Sequence, residues 1–352
     1  MYAVTSRPRI ALAALLIGAL IACGDAPSLV GPLVNGPPSL ERGAKGTPGA
    51  ATPHLLVSGL EGAFGSTIGP GGALFVAESQ AGRISRIDPQ TGAVTTFASG
   101  LPSNAAVGGG VFDVAFIGQT AYALVSLATP EVGGSGVDGI YRMDGPNSFT
   151  IVADIGAFNR ANPPETDFFV PTGVPFALET FRNGFLVTDG HLNRVLFVTR
   201  DGEIGVLRAF DNIVPTGLAV RGNRVYMAEA GPLPHLPENG RVVAFEQNSA
   251  TATVIASGAR LAVGVEFGRG NTLFALSQGV WNGAGAGSPA LPNTGALVQV
   301  NDQGGFTTVV GALDRPISLQ IIGNTAYIVT LTGQIWTIEN VAEPPFGGIA
   351  SK

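Results

Sequence analysis

One cysteine, Cys23, and three histidines are all the thiol and imidazole that 352 residues contain. A single thiol cannot close an internal disulfide, and it excludes a cysteine-based zinc centre. Charge is scarce as well. Asp, Glu, Lys and Arg make up 12% of the chain, about half the usual share. The net charge is −6 and no basic cluster occurs, which disfavours nucleic acid, where phosphate contacts dominate. No apolar run reaches the ~20 residues of a membrane-spanning helix. There is no G-x-S-x-G nucleophile elbow and no H-E-x-x-H zinc motif. No helical period is visible after the first fifty residues.

The short apolar run that does occur explains the cysteine. Arg7 and Arg9 are the only charges before Asp25, and Ile10 to Ala22 are apolar or small. A basic start, a short apolar stretch and small residues before a cut describe a secretory signal. Leu20-Ile21-Ala22-Cys23 resembles the bacterial lipobox, which implies removal of residues 1–22 and acylation of Cys23. Acyl chains contribute ~0.8 kcal/mol per buried CH2, so two or three anchor a protein stably. The expected location is the cell envelope, on the outer membrane or in the periplasm or at the cell surface. Contact with the membrane is expected through the lipid only. Residues 23–53 are rich in Gly, Pro, Ala and Ser, lack aromatics and read as a lipidated flexible tether.

Regular patterning begins at His54. A turn followed by an aliphatic or aromatic anchor recurs six times, at Phe75, Tyr122, Leu186, Tyr226, Phe274 and Tyr327. Eleven residues before each anchor, a short apolar segment opens: "FGSTIG", "VFDVAF", "PFALET", "PTGLAV", "VGVEFG" and "PISLQI". A third segment follows each anchor ("RISRID", "GIYRMD", "RVLFVT", "RVVAFE", "ALVQVN", "QIWTIE"), then a turn and a fourth. These β-branched runs between Gly, Asn and Asp read as strands and hairpins. Six units of four strands predict an all-β, six-bladed β-propeller over 54–341, with a C-terminal tail of 342–352. The sixth unit lacks its last strand. "HLLVSGL" (54–60) supplies one, so the N-terminal strand is expected to close the ring against 334–341.

"VPTGLAVRGNRVYMAEAG" and "FLVTDGHLNRVLFVTRDGEI" look like NHL-type propeller repeats, and the whole body resembles the ScyD/ScyE family of extracytoplasmic propellers. The resemblance implies the fold and an envelope location but supplies no catalytic residues. SMP-30/gluconolactonase-like enzymes, which hold a divalent metal in the central channel, and strictosidine synthase-like proteins share this blade pattern.

Site candidates follow from loop lengths. Loops from second to third strand, and from each blade to the next, share one face. There the chain is long: 126–139, 156–174, 230–240 and 277–295. The opposite face has tight turns such as Gly222-Asn223. Long loops on a rigid scaffold usually carry function. Glu78, Asp189 and Glu229 fall three places after an anchor, at the loop-rich end, and Asp113 falls near the channel mouth. Carboxylates converging there would suit Ca²⁺ or another divalent hard cation, although Val125, Ser277 and Thr330 occupy the matching places in the other blades. The alternative is that these acids bond backbone amides of neighbouring blades. His54 falls in the closing strand. His191 and His235 on the loop-rich face could act as bases or ligands, or as loop hydrogen-bonders. Glu179 and Glu266, in inner strands, need partners and could form inter-blade ion pairs. Trp281 could stack on a ring or pack its loop down. Two readings result. The first is a binding or scaffold propeller taking a small molecule or a protein on the loop-rich face. The second is a metal-dependent hydrolase or lactonase. The missing nucleophile motifs weigh against catalysis.

Overall fold

The computed structural model describes residues 51–249 and 251–343. The expected lipobox at Cys23, most of the expected tether and most of the tail lie outside them. Six antiparallel sheets of four strands form the ring of a six-bladed β-propeller. The inner strands are Ala63–Ile68, Gly110–Ile117, Pro175–Phe181, Pro215–Arg221, Ala262–Phe267 and Pro316–Ile322. They are the segments that the eleven-residue offset marks. Each anchor lies opposite one inner-strand residue. Thr67 faces Phe75, Ala115 faces Tyr122 and Glu179 faces Leu186. Ala219 faces Tyr226, Glu266 faces Phe274 and Gln320 faces Tyr327. The register slips once near the start of every inner strand, a bulge that sharpens the twist where six strands crowd round the axis.

The second strands are buried from end to end in "LFVAE" (74–78), "GFLVTD" (184–189) and "LFALS" (273–277). Neighbouring blades cover both faces, so these strands are continuously apolar rather than alternating. That requirement explains a chain with so little charge. Outer strands such as Val94–Ala98 are mostly exposed. Near the axis the packing reaches backbone on backbone. A Cβ on Gly217 would sit 2.7 Å from the Gly264 Cα, so only glycine lets blades four and five approach this closely.

The ring closes as expected. His54–Val57 pairs with Ile335–Ile338, His54 opposite Thr337, and the Leu60 amide donates to the Gly333 carbonyl at 3.1 Å. The chain joins the ring on its outer rim, where the Ala51 amide donates to Val309 of blade five at 3.2 Å.

One expectation needs correction. The segment after blade two is not wholly irregular, because Ile155–Ala161 forms a helix, α1. Asp154 caps it by accepting from the Ala157 amide at 2.7 Å, and Ile155 and Asn159 bury its inner side. Seven residues are too few for a visible helical period, so the cap is the only local sequence signal.

Candidate functional site

The loop-rich face is the one expected, but the acids beneath it are not gathered. Among the described residues no three Asp, Glu, His or Cys side chains come together as a metal site. Each acid at the end of a second strand instead faces an arginine across its own sheet. Glu78 lies opposite Arg83, Asp189 opposite Arg194 and Glu229 opposite Arg241.

Glu78 is fully buried and saturated. Arg83 grips it with Nε at 2.8 Å and Nη2 at 2.7 Å, Ser85 Oγ donates at 2.5 Å and the Glu61 amide at 2.6 Å. Asp189 is also fully buried. Its Oδ1 accepts from the amides of Val174 and Leu192, both at 2.9 Å, and of His191 at 3.2 Å. Its Oδ2 accepts from Asn159 Nδ2 at 2.7 Å. Burial raises its pKa all the same, while Arg194 and these donors oppose the rise. Glu229 differs. It is buried, its carboxylate takes no hydrogen bond among the described residues, and burial pushes it up to about 7 against the attraction of Arg241.

Asp113 lines the central channel and acts as a staple between blades. Its Oδ1 accepts from the Val114 amide at 2.9 Å, and its Oδ2 from Leu178 of blade three at 2.8 Å. Glu179 and Glu266 line the same channel. Among the described residues they form no inter-blade ion pairs. Glu179 accepts from the amide and hydroxyl of Thr180, and Glu266 from the Phe267 amide. Burial raises Asp113 to about 8, Glu179 to about 7 and Glu266 to about 8, and repulsion from Glu179 adds to the rise in the other two. The cavity that the three acids share is about 60 Å³. That volume suits a water or two, whereas pockets for organic ligands run to ~300–1,000 Å³. A larger hollow, of about 600 Å³, opens between blades two and three. It is lined by Tyr122, Arg142, Asn183, Phe197, Thr199, Arg200 and Asp201 at the plain end of the ring.

The two loop histidines and the tryptophan hold the loops. His191 Nε2 accepts from the amides of Phe169 and Val170 at 2.9 and 3.0 Å, and its ring meets Phe169 edge-on at 4.3 Å. Burial lowers its pKa to about 4, consistent with a neutral acceptor. His235 Nδ1 bonds the carbonyl of Gly231 at 2.7 Å, and its ring stands edge-on to Trp281 at 6.2 Å. Trp281 packs on the core and donates Nε1–H to Ser288 Oγ at 2.8 Å. Loops of blades four and five are thereby tied together.

Sequence reasoning missed what these clamps present. Phe169 is 60% exposed and Phe168 40%. Leu233, Leu236 and Leu291 are exposed on the next two long loops. Five large apolar side chains thus stand on three loops of one face. Phe168-Phe169 inside a Pro-rich loop was the readable signal. The arginine partners were readable too, since "RISRID", "RVLFVT" and "RVVAFE" all begin with arginine.

The fold defines the class: a six-bladed β-propeller whose structural neighbours include gluconolactonase-like and dehydrogenase-like propellers. A gluconolactonase from Xanthomonas campestris matches with a TM-score of 0.58 at 13% identity, over 82% of this chain and 89% of that one. The aldose sugar dehydrogenase from Streptomyces coelicolor, in its PQQ-bound form, matches at 0.53 and 15%, over 82% and 98%. Virginiamycin B lyase from Staphylococcus aureus matches at 0.51 and 14%, over 81% and 97%. At these identities the likeness is one of fold. No protein-family model matches the sequence, and no curated protein matches it.

Proposed function

We propose that the protein is a binding or scaffold propeller of the ScyD/ScyE kind, anchored in the cell envelope through a lipid on Cys23, whose loop-rich face docks a protein partner. The observation that carries this reading is the set of five exposed apolar side chains confined to loops 162–174, 230–240 and 277–295. Exposed apolar side chains gathered on one face mark interaction sites. The clamps by His191, His235 and Trp281 hold that surface in place before binding, which lowers the ordering cost of association. The described chain begins at Ala51, on the outer strand of blade five.

The hydrolase reading has less support. Glu78 and Asp189 spend their lone pairs on their own blades, and the channel is too small for a sugar lactone. The neighbours' activities remain theirs, because fold does not imply function.

Photo-crosslinkers at positions 169 and 233 should capture a partner in intact cells, and crosslinkers at 223 and 324 on the plain face should not. Equal capture from both faces rejects the docking face. Lactone and phosphoester screens with Ca²⁺, Zn²⁺ and Mn²⁺ should show no metal-dependent turnover. Robust turnover abolished by Glu266→Gln would install the hydrolase instead.

A further inference from the structure

Between blades two and three the ring is not filled. Opposite the residue before each anchor, five blades put an apolar side chain on the inner strand: Ile68, Phe116, Val220, Phe267 and Ile321. Two of these reach the anchor of the preceding blade. Phe116 lies 4.6 Å from Phe75, and Phe267 lies 4.8 Å from Tyr226. Blade three puts Thr180 there instead, and its hydroxyl turns to Glu179. Tyr122, the anchor of blade two, rests on Phe185 at 4.7 Å, and beside it opens the hollow of about 600 Å³.

Two walls of this hollow carry hydrogen-bond donors. On blade two, Tyr122 lies opposite Arg142 across the sheet. Tyr122 is only 4% exposed, yet its hydroxyl has no partner among the described residues. Arg142 donates from Nε to Asp144 at 2.7 Å and from Nη2 to Thr150, which leaves Nη1 uncommitted. On blade three, the turn 200–203 leans on the outer strand of blade two. A Cβ on Gly202 would collide with the Val152 carbonyl oxygen, so only glycine permits this approach. The Thr199 amide donates to the Glu203 carbonyl at 2.9 Å and the Glu203 amide to Thr199 Oγ at 3.0 Å, which fixes the turn. Arg200, at its head, makes no ion pair, and the Asn183 side chain makes no hydrogen bond, among the described residues.

A phenol, an amide and two guanidiniums therefore line one space with donors to spare. Acceptors are few. Asp144 spends its oxygens on Arg142 and Thr150, and Asp201 is exposed and pairs with neither arginine. Uncommitted guanidinium donors match phosphate or carboxylate oxygens, and such charge-assisted bonds are the strong ones. The volume falls in the ~300–1,000 Å³ range of organic ligand sites.

We propose that this hollow binds a small organic oxyanion, a phosphate or carboxylate of monosaccharide size. Arg200, Arg142 Nη1, Tyr122 Oη and Asn183 Nδ2 are its donors, and Phe197 is its apolar wall. The site lies at the opposite end of the ring from the proposed docking face and does not depend on it.

Calorimetric titration of the full chain at pH 7.5 with glucose 6-phosphate, glucuronate, inorganic phosphate and glucose tests it. At least one of the two organic anions should bind with a Kd below about 1 mM, and the tighter one tells phosphate from carboxylate. Arg200→Gln should weaken that binding about tenfold, and Tyr122→Phe about threefold. Asp201→Asn removes a nearby negative charge and should tighten it. Both turn residues are exposed, and an unchanged melting temperature shows that these variants fold. Binding by neither organic anion overturns the site, and so does glucose binding as tightly as they do. Inorganic phosphate binding as tightly as glucose 6-phosphate would mean an adventitious ion only, which also overturns it. Full affinity in Arg200→Gln, or weaker binding in Asp201→Asn, does the same.

Discussion

At the scale of single residues, the acids of this ring serve two opposite electrostatic ends. Glu78 is fully paired, so its worth lies in the pair. Arg83→Ala should cost about 3 kcal/mol in urea unfolding, because it strands a buried carboxylate. Exchanging both partners for apolar residues of similar volume should recover most of that loss. The channel acids behave differently. Asp113, Glu179 and Glu266 have folded pKa values raised to about 8, 7 and 8, so the native state holds protons that the unfolded chain releases near pH 4. Their contribution is therefore complete below pH 4 and lost as pH rises through 7 to 8. Stability should fall between pH 6 and pH 9, and Glu266→Gln should shrink that fall. A profile that rises over this range would contradict the assignment. His191 runs the other way. Its depressed pKa gives stability that is present above about pH 6.5 and lost as pH falls toward 4. Proteolysis within loop 162–174 should be faster at pH 4.5 than at pH 7.5. The positions of these acids were legible from the anchor spacing. Their environment was legible only in part: the arginines follow in the next strand of the same sheet, whereas the 60 Å³ void round the channel acids is made by inner strands of other blades, far away in sequence.

At the scale of elements, the repeated eleven-residue offset located all six inner strands. A bulge and a hairpin consume a fixed number of residues in every blade, so geometry leaves its mark as spacing. The helix α1 left none, since seven residues supported by one cap and tertiary burial carry no period of their own. Asp154→Ala should cost about 1 kcal/mol, the usual worth of an N-cap. The closing strand was legible by arithmetic: five complete blades, one short blade and one spare strand. A chain beginning at Gly62 should aggregate or melt well below one beginning at Thr52, because the third strand of blade six would be left with an unpaired edge. Equal melting of the two would mean that 54–60 adds nothing to the ring.

At the scale of the molecule, the proposed anchor and the ring can be tested separately. Cys23→Ser, or globomycin treatment of cells, should leave a larger unprocessed precursor, and unchanged processing would reject the lipobox. The ring itself is stitched by a contact across almost the whole body, since His54 and Thr337 are 283 residues apart. A pairing of such separation is reached late and slowly, because loop-closure entropy must be overcome first. Blade six is thus incomplete until the chain has found its own beginning, and the rate of folding should be governed by that encounter. His54 lies opposite Thr337 in an antiparallel pair, so a short turn after Ile338 could lead directly into residues 54–60. A chain rearranged in that way turns the longest-range contact into a hairpin. It should reach the same native stability and fold measurably faster in stopped-flow refolding.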